Sequence, residues 1–170
     1  MKKLLVLLCL LTMITGSAAH AQADFTALCG GKPVLTLQYD ENAFSLDTES
    51  YLSSSYGGHT WLGMLFNGSV TVELSADLYD GLAADCTLDQ LADYLGAKLA
   101  DEQCAYLERY TSPGNISFII FSLNGAAGQS YYAALMAQGC AVHFEIYNLR
   151  GGVGPEALKT LKALLDGVKL

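Results

Sequence analysis

Three side chains that could carry acid–base chemistry, His143, Glu145 and Tyr147, recur at two-residue spacing. Side chains two residues apart on a strand point to the same face, so an imidazole and a carboxylate would lie side by side there. A neighbouring carboxylate can orient an imidazole and raise its basicity, as a general base requires. The residues that alternate with them are apolar and would face the core: Val142, Phe144 and Ile146.

A nucleophile that would complete such a site is missing from the sequence pattern. The chain has no G-x-S-x-G, S-x-x-K or H-E-x-x-H motif. Cys140 would project to the face opposite His143, and a dyad of Cys140 with His59 requires a proximity that spacing does not provide. We therefore assign no catalytic residue. We interpret His143, Glu145 and Tyr147 as an exposed surface on an open sheet face, an alternative place for binding.

A second candidate is the segment ESYLSSSYGGHTW, which combines aromatic and small polar residues. Its candidate binding residues are Tyr51, Tyr56, His59 and Trp61. Tyr and Trp offer rigid stacking area at little entropic cost, and loops of this composition often bind a sugar or a peptide. The alternative is ordinary packing, in which Trp61 begins a strand and Tyr51 covers a sheet edge. The sequence leaves both interpretations open.

The acidic residues do not have the spacing of a metal site. They form two groups: Asp40, Glu41, Asn42, Asp47 and Glu49, and then Asp77, Asp80 and Asp85. Neither group matches the calcium-loop pattern D-x-[DN]-x-[DN]-G, so we interpret both as turn and surface residues. Two histidines remain after the N-terminal leader and there is no C-x-x-C, so zinc has no evident ligand set. We predict no metal and no cofactor.

The first 23 residues have the pattern of a secretory signal peptide. Lys2 and Lys3 precede an apolar run of eleven residues, which is too short for a membrane-spanning helix of roughly 20 residues. Small residues allow cleavage before Gln22 or Asp24, and we favour Asp24. The chain is thus predicted to comprise a signal peptide over 1–23 and one domain over 24–170 that is secreted or otherwise extracytoplasmic. The short lysine-led leader suits a bacterial protein.

The charge of the mature chain excludes two classes of partner. Without Lys2 and Lys3, seven basic residues face seventeen acidic ones, a net charge of −10. Nucleic acids and anionic lipids both require a basic surface, so neither is an expected partner. Two N-x-S sequences, at Asn67 and Asn115, are glycosylation acceptors only in a eukaryotic secretory pathway, and we interpret both asparagines as turn residues.

Four cysteines remain after leader removal: Cys29, Cys86, Cys104 and Cys140. In an oxidising compartment four thiols allow three full pairings, and the sequence does not choose between bridges and free thiols. A straight helix between Cys86 and Cys104 would hold them about 20 Å apart, which disfavours that one pairing.

Two segments have helical periodicity. In LDQLADYLGAKLA, leucines recur at three- and four-residue spacing, Thr87 with Gln90 forms a capping box, and Gly96 indicates close packing against another element. In PEALKTLKALLDGVK, Pro155 fits the first helical position and Gly167 ends the helix. Both are amphipathic.

Most of the remainder alternates as strands do. Residues 62–66 and 70–78 predict a hairpin turning at Asn67-Gly68, with the polar residues of the second strand facing solvent. Strands are also expected near 35–37, 44–47, 105–110, 116–123, 131–136 and 141–149, with 116–123 central in a sheet. The order ββ-ββ-α-ββββ-α predicts an α+β fold, an antiparallel β-sheet sandwich with two amphipathic helices.

This order, together with the helix LDQLADYL after a long strand and the closing helix ALKTLKALLDGV, resembles the PsbP-like α/β/α sandwich. That fold is shared by an extrinsic photosystem subunit and exported bacterial proteins such as DcrB-like and LpqN-like lipoproteins. The resemblance covers residues 33–170 and implies a non-enzymatic assembly or binding role. It carries over no functional residue.

Export, the missing catalytic motifs and this resemblance favour an exported, non-enzymatic binding or interaction domain for an unidentified protein or small ligand, such as a glycan or peptide. The first alternative is an extracytoplasmic hydrolase with a His base and a Ser or Cys nucleophile. The second is a structural subunit of an envelope assembly, which would expose a contiguous apolar patch.

Overall fold

The computed structural model describes residues 21–49, 58–79, 82–100, 103–126 and 128–170. Ten strands and two helices are assigned within these ranges. They are β1 (Gln22–Cys29), β2 (Lys32–Asp40), β3 (Ser45–Asp47), β4 (His59–Phe66), β5 (Thr71–Asp77), α1 (Leu88–Lys98), β6 (Ala105–Thr111), β7 (Ser117–Gly125), β8 (Gly128–Ala137), β9 (Cys140–Tyr147), α2 (Pro155–Asp166) and β10 (Val168–Lys169).

The strands form two antiparallel sheets. Seven of them follow the order β3-β4-β5-β9-β8-β7-β6, and the other three follow β1-β2-β10. The α+β class, the antiparallel pairing and the two helices predicted from the sequence are therefore confirmed. Strand β7 was predicted to be central and lies instead next to the edge strand β6, although it is buried on both faces.

Strands β1 and β10 are additions to the predicted order. In β1 every second residue points inward, with Phe25, Ala27 and Cys29 packed on the core. The strand begins at Gln22, inside the range expected for the leader, and this overlap hid its alternation. β10 has two residues, too few for a periodic signal, and pairs with β2 at Leu37 and Thr36.

The main core lies between one face of the large sheet and a layer made of α2 and the small sheet. Helix α2 contributes Leu161, Leu164 and Leu165, all buried, and the strands contribute large side chains such as Phe118 and Phe144. Removing this apolar area from water supplies the main driving force for folding. The predicted apolar stripe of the closing helix is confirmed.

Helix α1 covers part of the opposite face, over β6, β7 and β8. Its fully buried Leu91 and Leu95 pack with Ile119, Phe121 and neighbouring side chains in a second core. The predicted capping box is confirmed, because Thr87 Oγ1 accepts from the Gln90 amide while the Gln90 side chain accepts from the Thr87 amide. The large sheet thus has one helix against each face, and α1 covers only the β6–β7–β8 end of its face.

Two of the predicted hairpin turns differ in their outcome. At β8–β9 the turn is Gln138-Gly139, as predicted, and both residues have positive φ. At β4–β5 the hairpin is confirmed but the turn is centred on Gly68-Ser69, because Asn67 Oδ1 accepts from the amides of Ser69 and Val70. The asparagine side chain replaces a backbone acceptor there and moves the turn by one residue.

Edge strand β6 is joined to both helices by polar contacts. Arg109 forms an ion pair with Asp89 of α1, at 2.5 Å between Nη2 and Oδ1. From the other face Glu108 pairs with Lys162 of α2 at 2.7 Å, and Tyr110 donates a hydrogen bond to Asp166. That hydrogen bond, with partial burial, raises the pKa of Tyr110 to about 12.

No helix in the described ranges has the length and apolar character needed to cross a bilayer.

Candidate functional site

Strand register brings the two predicted binding surfaces onto one face of the large sheet. β5 pairs with β4 on one side and with β9 on the other, so Trp61, Ser75 and His143 lie in one row across three strands. His59 is level with Asp77 one row away. The Tyr51 and Tyr56 of the predicted loop lie outside the described residues.

A polar cluster forms around the Asp77 carboxylate, which is buried at 8% exposure. His59 Nδ1 lies 2.8 Å from Asp77 Oδ1. The Tyr79 hydroxyl donates to Asp77 Oδ2 at 2.6 Å, and His143 Nε2 lies 3.1 Å from the same oxygen. We call these four residues the Asp77 cluster.

His143 does not occupy the exposed position predicted for it. Only 1% of the residue is exposed, and its carboxylate partner is Asp77 rather than Glu145. The aromatic rings of Tyr79 and Tyr132 pack on it, with centroids 5.8 and 5.1 Å from the imidazole centroid. The predicted solvent-exposed face of β5 is also wrong, since Ser75 and Asp77 are buried beneath this aromatic layer.

The hydrogen bonds select one tautomer of His143. The Tyr79 hydroxyl donates its proton to Asp77, so the Tyr79 oxygen is left as an acceptor. A proton on His143 Nε2 can then be donated to Asp77 Oδ2 or to the Tyr79 oxygen, which is 3.0 Å away. Nδ1 is buried without a hydrogen-bond partner among the described residues. A proton there would be a buried unsatisfied donor, which is costly, so the neutral ring carries its proton on Nε2.

The pKa values of the residues in the Asp77 cluster are shifted in different directions. Burial alone would raise the pKa of Asp77, but hydrogen bonds from His143, Tyr79 and His59 outweigh it and hold that pKa well below its ordinary value. Burial penalises the imidazolium and lowers the pKa of His143, although Asp77 opposes this shift. Burial and the Asp77 charge raise the pKa of Tyr79. The cluster therefore holds the ionised carboxylate of Asp77 beside the neutral imidazole of His143.

Two glutamates lie farther along the same face. Glu73 on β5 and Glu145 on β9 are direct cross-strand partners. Trp61 Nε1 donates to Glu73 Oε1 at 2.8 Å, and the Tyr147 hydroxyl donates to Glu73 Oε2 at 3.4 Å. The Ser130 hydroxyl donates to Glu145 Oε1 at 2.9 Å. Neutral donors thus hold both side chains.

The glutamates open into a cavity of about 480 Å³. Its polar lining comprises Glu73, Gln129, Ser130, Glu145, Tyr147 and Asn148. Glycines form much of the remaining wall, and at Gly128 (φ 106°) a Cβ would lie 2.5 Å from the Gly152 nitrogen. Backbone from two loops can approach closely only because these residues have no side chain. We call this cavity the acidic cleft.

Both predicted surfaces therefore contribute to the cleft or its border. Trp61, Glu145 and Tyr147 lie in or beside the acidic cleft, whereas His59 and His143 belong to the Asp77 cluster. The interpretation of Trp61 as only a packing residue is incomplete, because its indole holds Glu73 in place.

Sequence reasoning missed Glu73 and Ser130 as site residues and assigned Asp77 to turns and surface. A signal was available in β5, whose polar residues 71, 73, 75 and 77 alternate strictly. That alternation identifies a shared face, but it cannot show which strands flank β5.

Within the described ranges, no group of three or more His, Cys, Asp or Glu side chains is placed to hold a metal ion. The hydrogen-bond partners of the two described histidines are Asp77 and Tyr79. His143 is therefore part of a buried hydrogen-bond network with a carboxylate and a phenol, through its Nε2 atom.

The cysteines fall into two situations. Among the described residues, none of the four takes part in a disulfide bond. Cys29 and Cys140 lie in the main core with their sulfurs 3.5 Å apart, whereas Cys86 and Cys104 flank α1 and pack on the second core.

No protein-family model matches this sequence, and a search of curated proteins gives no match either.

Proposed function

We propose that this protein is a non-enzymatic binding domain that acts outside the cytoplasm, and that its ligand is a small organic cation held in the acidic cleft. The observation that carries the proposal is the pairing of Glu73 with Glu145 in one register position, lining a cavity of about 480 Å³. That volume lies within the range of small-molecule sites, roughly 300–1,000 Å³.

Electrostatics supports a cationic ligand. Like charges directly opposite each other on neighbouring strands are destabilising, and a cation between them relieves the repulsion. Trp61, Tyr147 and Ser130 donate hydrogen bonds to the two carboxylates and keep them oriented. An ammonium or guanidinium group can supply the charge and further hydrogen-bond donors.

The aromatic residues beside the cleft support the same ligand class. Tyr147 lines the cavity, and Trp61 donates a hydrogen bond to the Glu73 carboxylate. Aromatic faces attract organic cations, by about 0.5–1 kcal/mol at exposed sites and more where water is excluded.

Fluorescence of the tryptophan tests the proposal directly, because Trp61 is the single tryptophan of the chain and its indole contacts Glu73. The purified full chain would be titrated with agmatine and with tetramethylammonium, and with succinate as an anionic control. We expect a saturable change in Trp61 emission with at least one cation and none with succinate, confirmed by calorimetry.

Matched variants separate the cleft from general charge attraction. Glu73→Gln and Glu145→Gln should each weaken cation binding by about tenfold or more, equivalent to about 1.4 kcal/mol. Glu41→Gln removes the same charge at an exposed position away from the cleft and should leave the affinity unchanged. Equal weakening by all three variants, or no saturable signal with either cation, would refute the proposal.

The binding role is preferred over the two alternatives on specific observations. A hydrolase needs a nucleophile bonded to an imidazole, and the described histidines bond to a carboxylate and a phenol instead. A structural subunit favours a contiguous apolar patch, and in the described ranges the large exposed apolar residues are distributed over β1, β6 and the segments that follow β5, β9 and β10. They are Leu28, Leu78, Tyr106, Leu107, Leu149 and Leu170.

A PsbP-like assignment is part of the same proposal. An antiparallel sheet with a helix against each face supports it, and so does the position of the second helix near the C-terminal end. A binding role agrees with what that resemblance implies.

A further inference from the structure

Two cysteines that are 111 residues apart in sequence meet in the main core. Cys29 is the last residue of β1 in the small sheet, and Cys140 is the first residue of β9 in the large sheet. Their sulfur atoms are 3.5 Å apart. This is close to van der Waals contact, about 1.5 Å longer than a disulfide bond of about 2.05 Å.

Rigid elements present both residues. Cys29 is held by its pairing with Lys32 across the β1–β2 hairpin, and Cys140 by its pairing with Ala137 across the tight β8–β9 turn. These elements hold the two sulfurs in contact with each other. Cys86 and Cys104, by contrast, are separated by the eleven residues of α1, a length of about 16 Å.

We propose that Cys29 and Cys140 are a disulfide pair, which an exogenous disulfide oxidant closes to join the small sheet covalently to the large one. The oxidant belongs to the class of small-molecule or protein disulfides. The structure thereby selects a single bridge, and Cys86 and Cys104 remain thiols on either side of α1. The inference does not depend on the acidic cleft.

The two thiols have different roles in the exchange. Cys140 is buried, and burial together with the neighbouring Cys29 raises its pKa to about 11, so it is a thiol at neutral pH. Cys29 is only partly buried and is the residue an oxidant can reach. The Cys29 thiolate attacks the oxidant disulfide, forms a mixed disulfide and expels one thiolate.

Cys140 completes the reaction. It loses its proton and attacks the Cys29 sulfur, forming the Cys29–Cys140 bond and expelling the second thiolate of the oxidant. Two electrons pass to the oxidant disulfide, which becomes two thiols, and the two protons of Cys29 and Cys140 are taken up in that product. The protein loses two hydrogen atoms.

The test combines mass measurement with peptide mapping. The purified full chain would be reduced, treated with oxidised glutathione, alkylated under denaturing conditions, digested and mapped. We expect the oxidised chain to be about 2 Da lighter than the reduced chain before alkylation, and the digest to contain one linked pair of peptides, with Cys29 and Cys140. The double variant Cys86→Ser with Cys104→Ser should form the same link. Oxidation should raise Tm by about 5–10 °C, which dithiothreitol reverses.

Cys29→Ser is the matched control, because this residue is only partly buried and its replacement disturbs the core least. It should abolish both the linked peptide and the Tm increase. A link from Cys29 or Cys140 to any other cysteine would overturn the pairing. Alkylation of both Cys29 and Cys140 after oxidation would overturn it as well, and this readout on the unmodified sequence needs no variant to fold.

Discussion

The Asp77 carboxylate accepts hydrogen bonds from side chains of three separate segments. His59 comes from β4, Tyr79 follows β5, and His143 comes from β9. A buried charge is tolerated where such donors replace the water it has lost. The cluster therefore joins three segments of the chain through one ionised group, and its stability depends on which protonation states persist.

The pH dependence of stability tests this arrangement. Because burial lowers the pKa of His143 below 6.5, the unfolded chain binds a proton near that pH that the folded chain does not. The free energy of unfolding should therefore fall as pH drops from 7 to 5, by up to about 1.4 kcal/mol per pH unit from this residue. Urea denaturation at several pH values measures the slope.

His143→Gln is the control, since glutamine is polar but does not titrate. Its slope between pH 7 and 5 should be smaller than that of the unchanged protein. Asp77 affects the free energy of unfolding at lower pH. Because its pKa is depressed in the folded protein, its contribution to stability is present above pH 3.8 and is lost as the pH falls below that value. Equal slopes in the two proteins between pH 7 and 5 would contradict the assignment of a neutral, buried His143.

The space around a glycine differs between the interior of α1 and the end of α2. Gly96 lies inside α1, where a Cβ would meet no atom within 4 Å, so the close packing predicted for it from the sequence is wrong. Gly167 follows α2, where a Cβ would lie 2.0 Å from the Gln38 backbone oxygen. Its φ of −83° suits any residue, so space alone requires glycine there.

Gly167→Ala should destabilise the protein by about 3 kcal/mol or more, because relieving the clash separates the end of α2 from β2. The hydrogen bond from the Gln38 amide to the Gly167 oxygen, 2.8 Å long, would be strained by the same shift. Chemical denaturation measures the loss. A variant with unchanged stability would show that the close approach of α2 to β2 is not a constraint.

Gly96→Ala is the matched change in the other helix and should stabilise by about 0.5–1 kcal/mol. Alanine restricts the unfolded chain and favours helix at a position with free space. The same denaturation measurement applies. A loss of stability would mean that the cavity beside α1, which Gly96 lines with Asp89 and Asp93, does not tolerate a methyl group.

For the molecule as a whole, the small sheet distinguishes between the two cleavage sites predicted for the signal peptide. Gln22 and Ala23 are paired with Asp40 and Tyr39, and the Glu41 amide donates to the Ala21 oxygen. Cleavage before Asp24 would remove two paired residues of β1, whereas cleavage before Gln22 keeps the strand whole. β1 thus favours the earlier of the two sites.

We therefore expect cleavage of the predicted signal peptide to occur before Gln22. Intact mass and N-terminal sequencing of the protein recovered from the medium or periplasm of a bacterial host distinguish the two starts. A homogeneous start at Asp24 would show that the outer end of β1 is dispensable, and recovery of the uncut chain would contradict the signal-peptide prediction.

Local patterns in the sequence determined the element types. Leucine spacing, the Thr87–Gln90 capping box and the Gln138-Gly139 turn each depend on neighbours within a few residues, and all three are present in the structure. Two-residue alternation likewise identified β5 and β9 and placed His143, Glu145 and Tyr147 on one face. These features depend on interactions between residues that are close in sequence, so the sequence pattern is enough to predict them.

Tertiary structure alone decided the partners of those residues. Three contacts depend on which strands are neighbours and in what register. Glu73 faces Glu145, Asp77 rather than Glu145 binds His143, and Cys29 meets Cys140. Strand pairing joins residues that are distant in sequence, and local propensity carries no information about that choice. The faces of the strands follow from the sequence, whereas the cleft, the buried imidazole and the cysteine pair follow from the sheet.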